Sequence, residues 1–301
     1  MNTPAALTTH SGWMRGSGTL LGSLLVAASA VSFSTAGLLT RLIQLDTWTI
    51  LFWRGLFGAG FLAACIVWQH RARTLATFRA IGAAGLVACA CSTGATICFI
   101  NSLRLTTVTD VMLIFAAVPF AAASIAWIWL RERASRTTLL ASFVALLGVA
   151  LMFGAARQVS HLAGDVLALA ATVLIAMMMV IIRHRREISL LPAMCLSALA
   201  SSVVVLPLSH PAAVDSIALL YLALFGTMQL GLGLLLLTIG TRLISAAQSA
   251  LIGNLEVPLA PLWVWLAFGD TPSLMTCAGG AVVAAAVLGD ILLNNRRQPA
   301  S

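Results

Sequence analysis

Apolar residues run almost unbroken along this chain, in blocks of about 20 separated by short polar punctuation. A helix needs roughly 20 mostly apolar residues to cross the hydrocarbon core of a bilayer. Ten such runs are present, at residues 19–40, 47–69, 80–101, 108–130, 137–156, 166–182, 190–209, 216–239, 245–268 and 272–293. The run at 166–182 is the shortest. The first run is longer than a signal-peptide core of about 7–15 residues, so it reads as a retained helix. Residues 1–18 read as a short disordered tail, and 294–301 as a C-terminal tail. The connections are too short for a soluble catalytic module. The pattern predicts an all-α integral membrane protein of ten transmembrane helices.

Composition agrees. Sixty per cent of the 301 residues are apolar and 9% are charged, against about 25% charged in an average soluble domain. Disorder is excluded, because it needs low hydrophobicity and high charge. The net charge of +8 comes entirely from arginine, since the chain has no lysine. These arginines are scattered through short loops rather than along one face, which argues against nucleic acid and for membrane topology. With the N-terminus in the cytoplasm, 13 arginines lie inside: Arg15, Arg71, Arg73, Arg79, Arg131, Arg133, Arg136, Arg183, Arg185, Arg186, Arg242, Arg296 and Arg297. Arg41, Arg104 and Arg157 lie outside, and Arg54 falls within a span. That bias sets both termini inside. The six cysteines sit in apolar runs without metal spacing, as small apolar filler.

An internal repeat changes the architecture. Displaced by 138 residues, Arg104 meets Arg242, Leu105 meets Leu243, Trp127 meets Trp265, Glu132 meets Asp270 and Ser135 meets Ser273. Each repeat would hold five spans. Five is odd, so the second copy inserts upside down relative to the first. Trp127 and Trp265 then sit at opposite interfaces, where aromatic belts form. Inverted repeats are a transporter architecture, with the substrate site near the midplane between them.

Residues 101–153, NSLRLTTVTDVMLIFAAVPFAAASIAWIWLRERASRTTLLASFVALLGVALMF, carry a threonine-rich start to the fourth span, a mid-span Pro119, an aromatic-rich end and Arg-Glu-Arg before the fifth. Residues 251–270, LIGNLEVPLAPLWVWLAFGD, repeat the plan, with Glu256 placed 14 residues before Asp270. Both stretches resemble the EamA-type repeat of the drug/metabolite transporter superfamily. Pro258 follows Glu256 by two positions where the family pattern has one, and the closing acid is Asp270 rather than glutamate. The resemblance implies two inverted five-helix EamA-type repeats, at 19–156 and 163–293, around a central cavity with alternating access.

Polar groups inside the spans are the functional candidates, because a charge at the bilayer centre costs about 2.5–3.5 kcal/mol on insertion scales. Glu256 is deepest, about 12 residues or roughly 18 Å from either end of its span. Counted at 100° per residue, Ser245, Ser249 and Trp263 share its face. This stripe would suit a cavity in which Glu256 receives a substrate amine or takes up a proton. Arg54 either snorkels to the headgroups or reaches inward to Glu256. Gln229, among Gly226, Gly231 and Gly233, reads as interhelical glue and a site candidate. Asn254 points to another face of its helix. Ser29, Ser32, Ser92, Thr93 and Thr96 either bond the backbone one turn back or line the cavity. The run Met177, Met178 and Met179 packs in the core or adapts to varied ligands. No cofactor motif, phosphate loop, metal set or nucleophile triad is present, so an enzyme is not expected.

The expected function is a secondary permease of the bacterial inner membrane. It would export amino acids or related small metabolites, with the bilayer and the small molecule as its partners and protons as a candidate coupling ion. An exporter of amphipathic drugs and a non-transporting helper subunit are the rivals. Substrate, direction and oligomeric state stay open.

Overall fold

The computed structural model describes residues 10–71, 74–153, 162–186, 189–212 and 214–296, which are helical with short connections and contain no strand. Among them are ten helices long and apolar enough to cross a membrane: α1 Gly18–Leu42, α2 Thr47–Gln69, α3 Gly82–Leu105, α4 Asp110–Leu130, α5 Arg136–Phe153, α6 Leu162–His184, α7 Leu191–Leu208, α8 Ser216–Thr241, α9 Ala246–Phe268 and α10 Leu274–Asn294. Every expected span is present. Residues 154–156 of the expected fifth span, together with Arg73, Arg157 and Arg297, lie outside the described residues.

Two expectations at span ends are corrected. The first helix starts at His10, inside the segment expected to be disordered. Once a long apolar span has nucleated a helix, extending it by another residue costs little. The sixth span runs 23 residues rather than 17. Its first turn is polar, but Thr106 Oγ1 donates to Asp165 there at 2.9 Å, and Arg183 and His184 complement the dipole in its last turn. Apolarity alone trims such ends.

Close approaches give the direction of each pairing. Gly148 meets Gly279 while Thr138 Oγ1 donates to Asp290, so α5 and α10 run antiparallel. Cys195 near Ala59 and Ser202 near Phe52 make α2 and α7 antiparallel. Gly22 near Gly240, with Phe33 against Gly233, does the same for α1 and α8. By contrast, Gly58 near Gly226 and Gly231 near Phe61 make α2 and α8 parallel. All four directions follow if successive spans alternate, so the second set of five is inverted relative to the first.

Local chemistry repeats with the same displacement. Thr107 and Ser245 are N-caps, accepting from Asp110 N at 3.1 Å and Gln248 N at 3.2 Å. Ser135 and Ser273 cap the following helices, accepting from Thr138 N at 3.0 Å and Thr276 N at 3.1 Å. Arg131 and Gly269 end the equivalent helices in the left-handed region, with φ 57° and 76°. Ala116 and Asn254, 138 residues apart, mark breaks in α4 and α9, and Asn254 Nδ2 donates to the Ala116 carbonyl at 3.2 Å. The fourth and ninth spans therefore meet at their equivalent residues, as two elements beside a pseudo-twofold axis must.

Candidate functional site

Proline chemistry produces the two breaks. Pro119 and Pro258 lack an N–H, so each removes one i→i−4 bond and crowds the preceding turn. Tighter bonds take over. Phe120 N donates to Ala117 O at 3.0 Å, Leu255 N to Ile252 O at 3.1 Å and Val257 N to Asn254 O at 3.2 Å. The half-helix Glu256–Phe268 thus begins in mid-span with Glu256 in its first turn. Discontinuous helices of this kind form midplane sites in transporters.

Glu256 is surrounded by protein atoms but keeps accessible surface. Its carboxylate has no hydrogen-bond or ion-pair partner among the described residues. A surrounded, reachable, unpartnered carboxylate in mid-span fits a group facing an internal cavity. Arg54 has the same character: it is surrounded, part-accessible, and its Nε has no hydrogen-bond partner. Its guanidinium carbon lies 5.4 Å from the Phe225 ring centroid, where a cation–π contact offsets part of its desolvation. The two charges do not form an ion pair.

Packing around the breaks is uneven. In α9 all of 246–252 are buried, whereas Val257 is the one buried residue of Glu256–Phe268. In α4 the pattern reverses along the chain. Val118, Pro119, Ala122, Ala123 and Ala126 are buried after the break, but before it, among the described side chains of 108–115, only Val111 is. Inversion makes these the same half of the bundle. The densely packed halves, 118–130 and 246–253, pack on each other. Their loosely packed counterparts share no comparable contact. Glu256 lies at the transition.

The remaining expected site residues divide. Trp263 Nε1 donates to Ser34 Oγ at 2.8 Å, tying the loose half of α9 to α1. Ser32 Oγ donates to Met228 O at 2.7 Å, and Gln229 Nε2 bonds Phe33 O at 3.4 Å, joining α1 to a π-helical stretch of α8, Phe225–Leu232. Gln229 is buried and its Oε1 is unpartnered. A Cβ on Gly226, Gly231 or Gly233 would fall within 2.4–2.7 Å of Phe57, Phe61 or Phe33, so these glycines bring α8 close to its neighbours. Ser245 is a helix cap and Ser249 is fully buried. Both precede the break at Asn254, which separates them from Glu256. Met178 and Met179 are in the core. Ser29 and Thr96 bond the backbone of their own helices.

One acid near a span end proves to be buried. Asp290 is 1% exposed and accepts from Thr138 Oγ1 at 2.9 Å and Asn294 Nδ2 at 2.8 Å. The Thr138 bond staples α10 to α5, and the Asn294 bond lies within α10. The i, i+4 spacing of Asp290 and Asn294 was the available signal.

The profile of the EamA-like transporter family matches residues 20–154 and again 162–290. The chain belongs to the EamA-like transporter family. The two matches are the two inverted repeats. A solved crystal structure of a protein has the same fold as this EamA chain, with a TM-score of 0.77 and 18% identity over 90% of this chain and 98% of that one. No curated protein matches it.

Proposed function

We propose that this EamA chain is a secondary carrier exporting a small amino-acid-like metabolite by alternating access. The observation that carries the reading is the pair of opposite, unpaired charges, Glu256 and Arg54, each surrounded by protein and each partly reachable. Holding either charge in a low dielectric without a partner is costly. A zwitterion would satisfy both, with its ammonium at Glu256 and its carboxylate at Arg54. Glu256 could also take up a proton once the amine has left, which makes the proton the natural coupling ion. Gln229 and Ser32 hold α1 to α8 beside this region, and Trp263 joins α1 to α9.

The 13 inside arginines support a chain in the bacterial inner membrane with both termini cytoplasmic. The rival reading as a drug exporter rests on the methionines and tryptophans, and of the methionine run Met178 and Met179 are in the core. The test is efflux from bacteria loaded with labelled amino acids, with amphipathic drugs as competitors. Expression speeds efflux of one or a few amino acids, and drugs do not compete. The amine-free analogue of the substrate loses its sensitivity to Glu256→Gln, and the carboxamide analogue to Arg54→Gln. Drug competition without amino-acid efflux would transfer the chain to the rival class.

A further inference from the structure

Two ion pairs join the described residues, and the repeat relates them to each other. Arg41, at the end of α1, bonds Asp270 in the connection from α9 to α10 at 2.5 Å. Arg183, near the end of α6, lies 3.5 Å from Glu132 in the connection from α4 to α5. Glu132 and Asp270 stand 138 residues apart, the displacement that relates the helix breaks. Arg41 and Arg183 each stand 21 residues beyond the start of their family match, at 20 and 162. The pairs are therefore mates under the inversion, one at each end of the bundle. Each links the first span of one repeat to the fourth span of the other. Each is reinforced. Arg41 lies over the Phe268 ring at 5.6 Å, and Arg183 Nη1 donates to Arg242 O at 3.0 Å.

Stability does not account for this recurrence: Arg41–Asp270 is exposed and Arg183–Glu132 is part-exposed and long at 3.5 Å, so each contributes little. Placement does. Each pair spans an existing packing contact, α1 on the loose half of α9 and α6 on the dense half of α4. Neither spans the separation between the loose halves of α4 and α9. A gate would span that separation.

We propose that Arg41–Asp270 and Arg183–Glu132 are equivalent clasps that stay closed through the transport cycle, so that α1 moves with α9 and α6 with α4. Each moving unit then takes its first span from one repeat and its broken span from the other. The inference rests on the carrier reading, but its test needs no substrate.

Spin labels at cysteines replacing Leu42 and Thr271, with Cys277→Ser, report the distance beside the first clasp in the full chain in lipid. A second labelled chain, at Leu113 and Leu262, reports the separation between the loose halves. The expected result is one narrow distance at 42–271 and two populations at 113–262. Asp270→Asn then raises the separated population at 42–271 by roughly two- to fivefold, and the exchanged pair Arg41→Asp with Asp270→Arg restores the narrow distance. Two populations at 42–271 with the clasp intact would make it a gate and overturn the proposal. An unchanged distance after Asp270→Asn would overturn it too. Failure of amino-acid efflux with these distances as expected would count against the substrate reading alone.

Discussion

The fourth and ninth spans are copies of one design with different chemistry at the same point. Both begin at a hydroxyl cap, Thr107 or Ser245, and both end in a left-handed residue, Arg131 or Gly269. Both break after eight helical residues. At the break they diverge. The fourth carries Ala116 and Val118, both apolar and buried, where the ninth carries Asn254 and Glu256. The break belongs to the repeat, and the charge belongs to one copy. A symmetric scaffold thus carries an asymmetric pair of polar residues, and exchanging residues between the copies separates the two contributions.

The largest effect should come from Val118→Glu. Position 118 is 3% exposed, so a carboxylate there meets packed apolar groups and should cost about 3 kcal/mol. Thermal unfolding in detergent should show it. Combined with Glu256→Gln it should not restore transport, and restoration would mean that the two copies are interchangeable. Asn254→Ala makes the ninth span resemble the fourth and leaves the Ala116 carbonyl without its donor. The expected loss is about 1–2 kcal/mol, read by the same melt. Arg131→Gly makes the fourth span resemble the ninth. It relieves a non-glycine residue at φ 57° and should stabilise by about 0.5–1 kcal/mol. A melting temperature that falls would indicate that Arg131 makes a compensating interaction.

The contrast also explains what could be read from sequence. Span number and inversion were legible because the bilayer demands long apolar runs and loops that sort arginine. Glu256 was legible by depth alone. The break between Ser249 and Glu256 was not counted, because helical periodicity was run through Pro258; Pro119 in the first copy was the matching warning. The partners of Arg41 and Arg183 were hidden because residues 229 and 51 positions apart meet only once the bundle is packed. Gln229 and Ser32 carried no signal of their partners, whose backbone carbonyls leave no mark in a sequence.

The central claim is that Glu256 receives the amine of a transported amino-acid-like substrate. Purified chain in proteoliposomes, loaded with labelled amino acids beside a Glu256→Gln preparation of equal content, tests it most directly. The account predicts efflux of one or a few compounds, slowed at least about tenfold in the variant, the loss expected when a charged hydrogen-bond partner is removed. Equal efflux from both preparations would contradict it.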